Sequence, residues 1–416
     1  MGRVRSRRRR SATEWITRGG LAVVVAMLGY GSVASTTSYV NRAVAPERAY
    51  RLAPWDGRVT AALALKLSGA EGGAVDLPQA QRLARKALQQ DPTAIGAVIA
   101  LGLVDERRGH STAAARLFNY SDTLSRRDLP TQLWKIETAV SHGDVAGALR
   151  HYDIALRTSR VAPDLLFPVL VSAVADPAIR AGLVRTLRRK PVWGPLFIEY
   201  AAANGPAPHV TSLLFQDLRR SGVVIAPVAG TVLIDTLASR GAFEDAWTYY
   251  RTMHPDSDRR HSRDPRFSAE LAMPTVFDWR IADDSGINGS IQRTDNGGLV
   301  DFSAPPGVGG AVVQQRQLLL PGSYRLSGRA AGLAALGNDS PYWVVTCQDG
   351  SELGRTEVPG TGKFSGVFDV PAKCIAQTLT LMLRPSDASG GTTGQIERLE
   401  VIPVNRTATA RGQTPR

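Results

Sequence analysis

Two cysteines and six histidines in 416 residues leave little material for a thiol nucleophile or a metal centre, and no histidine follows His261. Aromatic residues make up only 6% of the chain, so each ring in a strand or helix has to be weighed as core before it is weighed as a binding surface. Also missing, at any usable spacing, are a nucleophile elbow, a phosphate loop, a pair of zinc ligands and a paired-carboxylate signature. Gly307-Val308-Gly309-Gly310 is glycine-rich, but no helix follows it to cradle a phosphate, and it reads as a turn between strands. These absences predict no catalytic residues, no cofactor and no metal site, and so a non-enzymatic protein.

A second absence lies near the N-terminus. After Arg18 no Asp, Glu, Lys or Arg occurs until Arg42, and Leu21 to Leu28 is almost wholly aliphatic. Ahead of it, residues 1–19 carry seven arginines against Glu14, a local +6 out of the formal net charge of +13. The remaining +7 is spread over nearly four hundred residues, so the basic balance is an N-terminal flank and not a nucleic-acid footprint. A basic segment (1–19) followed by an uncharged run (20–41) long enough to cross ~30 Å of hydrocarbon predicts a transmembrane helix. The positive-inside rule puts its arginines in the cytoplasm and the bulk of the chain across the membrane. Ser32-Val33-Ala34 offers small residues for cleavage, so a signal peptide is the alternative to an uncleaved anchor. Twin-arginine export is disfavoured because Ser11-Ala12-Thr13, and not a strong hydrophobe, follows Arg7 to Arg10. The localisation expected is a bacterial inner membrane, single pass, with the bulk periplasmic.

The middle of the chain has a period. Gly109, Ala114, Phe118 and Ser121 are followed after 34 residues by Gly143, Ala148, Tyr152 and Ala155. Ala80, with Ala84 and Ala87 one and two turns on, keeps the same phase, and Gly241, Ala246 and Tyr250 repeat the order later. Glycine lets the chain leave one helix in a left-handed conformation, a small residue lets the partner helix approach, and the aromatic fills the gap to the next unit. This pattern, strongest over residues 78–157, resembles the tetratricopeptide repeat, with Val98, Leu101 and Gly102 matching the first helix of such a unit. Trp134 departs from the family's phase, and residues 160–235 are helical in period without a clean motif. The resemblance implies stacked two-helix units across residues 45–254 whose surface holds a protein partner.

Helices are predicted at Ala94–Glu106, Thr131–Ser141, Leu165–Ala173, Ala178–Arg188, Leu196–Ala203, Val210–Arg220 and Val228–Ser239, separated by Pro or Gly. His142, His151 and Asp153 lie near one another in sequence but are expected not to converge, and His110 sits at a turn. Arg107-Arg108, Arg126-Arg127, Arg188-Arg189-Lys190 and Arg219-Arg220 fall near helix ends, where cations meet the negative end of the macrodipole. A rim attracting an acidic partner is the alternative.

Residues 255–274 read as a linker, because His254 to Asp264 contains no apolar residue. From 275 to 404 short alternating runs replace the helical period: Phe277–Ile281, Leu299–Phe302, Val312–Leu319, Ser323–Ala330, Tyr342–Gln348, Lys363–Val370, Gln377–Leu383 and Gln395–Ile402. Eight strands punctuated by Gly and Pro predict an antiparallel β-sandwich of jelly-roll type, and hence an α + β multidomain chain. Residues 405–416 are expected to be a disordered tail. Cys347 and Cys374 both fall in the sandwich and are expected to form a disulfide, a metal half-site being the weaker alternative. Leu320-Pro321-Gly322-Ser323-Tyr324-Arg325-Leu326, with Trp279 ahead of it, resembles galactose-binding-like sandwiches of carbohydrate-binding modules. That resemblance implies a polysaccharide contact, with Trp279, Tyr342, Trp343 and Phe364 as candidate platform rings. Core filling is the competing role for the same rings. Asp283, Asp284, Asp295, Asn296 and Asp301 could surround a calcium ion, but turn chemistry explains them without one.

The function expected is a membrane-anchored adaptor in envelope or exopolysaccharide assembly or export, holding protein through the helices and glycan through the sandwich. The alternative is an envelope-glycan enzyme using Asp278 with Glu270, which would require two carboxylates with raised pKa in one concave pocket.

Overall fold

The computed structural model describes residues 12–70, 75–270, 272–283, 286–294, 297–333 and 339–404. Among these, fourteen helices are followed by two antiparallel five-stranded sheets, the α + β architecture expected. The chain divides into two compact units, Met1–Leu166 and Phe167–Arg416.

The first unit opens with α1 (Ala12–Asn41), long and apolar enough to cross a membrane and with most of its large side chains exposed, Leu21 and Leu28 among them. α2 (Pro46–Leu52) follows, and then the helix pairs α3 (Gly57–Leu67) with α4 (Leu77–Gln90), α5 (Ile95–Arg107) with α6 (Ser111–Leu124), and α7 (Leu129–Ser141) with α8 (Val145–Thr158). Aspartates start several of them by accepting orphan backbone N–H groups. Asp56 takes those of Arg58 and Val59, Asp76 that of Gln79, Asp128 that of Thr131 and Asp144 that of Gly147. Gly109 and Gly143 end α5 and α7 at φ +78° and +71°. The phased residues are buried together: Ala80, Ala84 and Ala87 on α4, Ala114, Phe118 and Ser121 on α6, Ala148, Tyr152 and Ala155 on α8. Gly102 leaves room for the Phe118 ring, since a Cβ there would lie 3.0 Å from Phe118 Cε2. Trp134, out of phase in the sequence, stacks on the same ring at 4.5 Å and donates its indole N–H to Glu106.

α9 (Ala162–Ala173) runs across the boundary between the units. The second unit continues with α10 (Pro177–Leu187), α11 (Gly194–Asn204), α12 (Pro208–Arg220), α13 (Pro227–Ser239) and α14 (Phe243–Met253), where α11 packs on α13, and α12 and α13 on α14. Gly241 at φ +76° and buried Ala246 and Tyr250 put the last copy of the pattern on the α13–α14 turn.

The strands are β1 (Arg280–Ile281), β2 (Asn288–Thr294), β3 (Gly297–Ala304), β4 (Gly310–Gln317), β5 (Gly322–Ala331), β6 (Tyr342–Cys347), β7 (Glu352–Glu357), β8 (Gly362–Val370), β9 (Gln377–Leu383) and β10 (Thr392–Pro403). They form sheets ordered β1-β4-β9-β6-β7 and β2-β3-β10-β5-β8. Strict alternation buries Trp343, Val345 and Cys347 of β6 and Leu379, Leu381 and Leu383 of β9 in a core shared with Leu326, Leu399 and Val401 of the other sheet. β2 and β7 are absent from the sequence reading. Both are edge strands with largely polar side chains, so apolar alternation does not mark them. Cys347, ending β6, is bridged to Cys374 between β8 and β9.

Residues 255–274 do not behave as the linker expected. Ser262 and Val401 exchange hydrogen bonds, Leu399 N–H donates to Pro265, Gly298 N–H donates to Arg266, and Phe267 is fully buried in the sandwich core. The apolar anchor, Phe267, lies just beyond the charged stretch that suggests a hinge. The tail 405–416 lies outside the described residues.

Candidate functional site

Two concavities stand out, both in the second unit. The first lies against the C-terminal ends of α12 and α14 and the start of α13, closed by Glu270 and residues 272–278. Its volume is about 360 Å³, and Arg219, Ile225, Pro227, Tyr249, Met253, His254, Glu270, Met273 and Asp278 are among its lining residues. Its wall is held in place from α13: Thr231 Oγ1 donates to the Met273 carbonyl at 3.1 Å, and Asp235 Oδ1 accepts the Val276 N–H at 2.9 Å. Asp235 also pairs with Arg280, which in turn donates to the Pro274 carbonyl.

Glu270 and Asp278, the acid/base pair of the enzyme alternative, do meet at this cavity. Asp278 is nonetheless occupied. Its Oδ1 accepts the Tyr250 hydroxyl at 2.7 Å, and its Oδ2 accepts the Thr275 N–H at 2.8 Å and the Thr275 hydroxyl at 2.7 Å. Burial first, and the Asp278 charge second, push the Tyr250 phenol well above the usual tyrosine range. The neighbouring Tyr249 is also raised by burial, with the nearby Arg219 pulling the other way. Arg219 donates to the Thr252 carbonyl at 2.9 Å, and the His254 ring stacks on Tyr250 at 4.4 Å.

The second concavity is an apolar groove of about 510 Å³ formed by the end of α10, the loop 188–194, α11, the loop 221–226 and α13. Val192 and Val224 are more than four-fifths exposed in it, and Leu196 and Val228 are exposed nearby. Arg188 and Lys190 form its rim with Glu199.

The sandwich does not present the rings expected of it. Trp279, Trp343 and Phe364 are 5%, 0% and 6% exposed and belong to the core. Alternation along β6 points Trp343 inward and leaves Tyr342 on the outer face, where the guanidiniums of Arg355 and Arg384 lie 4.4 and 4.3 Å from its ring centre. Each arginine is paired, Arg355 with Glu352 and Arg384 with Glu357. Of the calcium candidates, Asp284, Asp295 and Asn296 lie outside the described residues, and Asp301 accepts a hydrogen bond from Gln395. No group of three or more His, Cys, Asp or Glu poised for a metal occurs among the described residues.

In the first unit the histidines stay apart, as expected. His142 Nδ1 meets the Thr138 carbonyl at 2.7 Å, His151 Nδ1 meets Gln132 Oε1 at 2.8 Å, and Asp153 pairs with Arg157. Both concavities escape the sequence because they join residues from four or five elements. The one local signal is the cluster Arg188-Arg189-Lys190 beside exposed Val192.

No protein-family model and no curated protein matches the chain. Among solved structures, the carbohydrate-binding module TmCBM61, in complex with beta-1,4-galactotriose, is similar over 35% of this chain and 100% of its own, at 15% identity and a TM-score of 0.26. A CBM4 structure is similar over 34% of this chain and 99% of its own, at 15% identity and a TM-score of 0.27. The Glycosylation Associate Protein (Gap123) complex from Streptococcus agalactiae is similar over 32% of this chain and 44% of its own, at 15% identity and a TM-score of 0.23. What this chain binds therefore has to be read from its own residues.

Proposed function

We propose that this chain is a non-enzymatic, membrane-anchored adaptor whose helices, paired in the manner of tetratricopeptide repeats, hold a protein partner in the groove between α10 and α13. The observation that carries this reading is the groove itself. Val192 and Val224, each more than four-fifths exposed, line about 510 Å³ of mostly apolar space together with Pro191, Pro195, Ile198 and Ala229. Water-exposed apolar side chains gathered around one depression mark an interaction surface more often than scattered ones do. The rim supplies the sign of the partner. Arg188, Arg189 and Lys190 are exposed and make no ion pair among the described residues, against the single carboxylate of Glu199. The occupant is a segment of a partner protein with two or more apolar anchors flanked by carboxylates, the anchors filling the groove and the carboxylates meeting the rim.

Around that contact, α1 anchors the chain in a bacterial inner membrane with its arginine flank in the cytoplasm, and the disulfide suits an exported second unit. The sandwich takes the glycan contact in envelope or exopolysaccharide assembly, through the outer face around Tyr342, the one of the four candidate rings outside the core. In favour of the adaptor over the enzyme alternative, both oxygens of Asp278 are held by donors.

The test is quantitative co-purification from detergent-solubilised envelopes, comparing the unaltered chain with Val192→Asp/Val224→Asp and with Arg188→Glu/Arg189→Glu/Lys190→Glu. Both sets of changes are on exposed side chains, and circular dichroism melts should superimpose. The reading expects one or more acidic partners to vanish with the first variant and to fall by about tenfold with the second. Recovery of the same partners by all three proteins would overturn the groove as the docking site. Loss from a Tyr342→Ala chain of co-purifying polysaccharide, with protein partners kept, checks the glycan assignment separately.

A further inference from the structure

The cavity against α12, α13 and α14 is left unused by the adaptor reading, and it holds two groups with unspent hydrogen-bonding capacity. Tyr249 is fully buried on α14, yet its hydroxyl finds no acceptor for its proton in the structure. A buried hydroxyl without a partner is rare in a well-packed interior, and it points to a ligand atom or a water that completes it. Beside it, Arg219 spends one N–H on the Thr252 carbonyl and pairs with no carboxylate among the described residues. Arg219 lies beside the Tyr249 oxygen, where its charge and its side-chain contact with that oxygen both oppose the upward shift that burial gives the phenol, while the hydroxyl's own proton has no acceptor.

The space is built and not accidental. A Cβ on Gly230 of α13 would stand 3.1 Å from Met253 Sδ and 3.8 Å from the Tyr249 hydroxyl, so a larger residue there would intrude on the floor. The wall 272–278 is pinned to α13 by Thr231 and Asp235. Asp278, although it lines the cavity, has both oxygens committed to Tyr250 and Thr275, which leaves the exposed Glu270 as the carboxylate with free lone pairs.

We infer that this cavity is a binding site for a small hydroxylated carboxylate of the sugar-acid class. A guanidinium without a carboxylate partner and a phenol hydroxyl without an acceptor together fit a carboxylate group. Glu270 is an acceptor for sugar hydroxyls. Ile225, Pro227, Met253 and Met273 give apolar walls to the C–H faces of a ring, and about 360 Å³ lies within the range of small-molecule pockets and accommodates a single pyranose. The site shares only Ala226 with the α10–α13 groove, and neither Arg219 nor Tyr249 lines that groove, so either assignment can fail without the other.

Isothermal titration of the full-length chain in detergent, with glucuronate, glucose and inorganic phosphate as probes, tests the inference. Saturable binding of glucuronate is expected, with glucose at least about tenfold weaker because it lacks the carboxylate. Arg219→Gln should weaken glucuronate by about tenfold or more, and Tyr249→Phe by a smaller factor. Arg219 is exposed and Tyr249→Phe keeps the ring, so both variants should melt like the parent, and a Gly230→Val chain supplies an independent block of the cavity. No saturation with any probe up to ~10 mM would overturn the site. So would equal glucuronate affinity across the three variants, or phosphate binding as tightly as glucuronate, which would mark a bare oxyanion contact.

Discussion

Arg263 shows how one side chain decides whether residues 255–274 are hinge or structure. It is buried beside Trp247, Tyr250 and Phe277, with its charge 5.1, 5.7 and 5.5 Å from their ring centres, and it donates to the Phe277 and Arg316 carbonyls. Burial draws its pKa down to about 10, with Tyr250 and Asp278 pulling it back up. A buried cation is tolerable only with its counter-charge in place. Asp278→Asn should therefore cost about 3–5 kcal/mol of the second unit's stability in urea unfolding. Tyr250→Phe, which removes a hydrogen bond to a charged acceptor, should cost about 1.5–3 kcal/mol. If Asp278→Asn proved no worse than Tyr250→Phe, the charge would not be what matters. His151 carries a pH prediction in the first unit. Burial lowers its pKa below 6.5, with Lys135 adding to the effect and Asp122 opposing it. In the unfolded chain the imidazole takes a proton near pH 6.5 while in the folded chain it still refuses one. The unfolded state then binds more protons, and stability falls as pH drops below 6.5 until the folded value is passed. His151→Gln can keep the contact with Gln132 and has no proton to take up. Its urea midpoint should therefore fall less than the parent's over that window, and parallel curves would sink the assignment.

At the level of elements, the glycines divide into two kinds that the sequence does not separate. Gly109, Gly143 and Gly241 have positive φ, and an added Cβ would meet no atom within 4 Å, so each is kept for backbone conformation alone. Gly57 is the opposite case. A Cβ there would lie 2.7 Å from Asp91 Cβ and 2.8 Å from the Asp91 backbone nitrogen, where α3 begins against the end of α4. Gly143→Ala should cost about 1–2 kcal/mol, the penalty of a left-handed residue with a side chain. Gly57→Ala should cost more, because backbone has to move, and urea midpoints of the two variants compare them directly. The 34-residue spacing makes Gly109 and Gly143 legible as one repeated cap, and the same order of residues marks Gly241, but Gly57 reads only as a helix breaker beside Asp56. The sheets show the same limit. Alternation reveals central strands such as β6 and β9, whereas the edge strands β2 and β7 each pack a single apolar residue on the core, Ile291 and Leu353, too little to show an alternation. Alternation also predicts that only one of Tyr342 and Trp343 can face outward; which one is settled by packing against Trp279, 5.7 Å away in the core. The cavity at Tyr249 leaves even less trace, because its residues are brought together from α12, α13, α14, Glu270 and residues 272–278.

For the whole molecule, the disulfide and α1 make a joint claim about where the chain folds. The bond joins Cys347 and Cys374, 27 positions apart in the sequence. By loop-closure entropy such a bond contributes about 3.5 kcal/mol, all of it conditional on an oxidising compartment. In the proposed topology α1 delivers the second unit to one, and the two features are independent observations because they come from separate segments of the sequence. A full-length chain produced in bacteria should therefore leave both cysteines refractory to alkylation in the denatured, unreduced state. A chain lacking residues 1–41, retained in the reducing cytoplasm, should be alkylated at both positions, and its sandwich should unfold at lower urea. Oxidising that truncated chain in vitro should restore the missing stability, and Cys347→Ser/Cys374→Ser should remove the difference between the two compartments. Equal alkylation of the full-length and truncated chains would show that α1 does not carry the second unit across a membrane, and the adaptor reading would lose its location while the groove and the cavity kept their own tests.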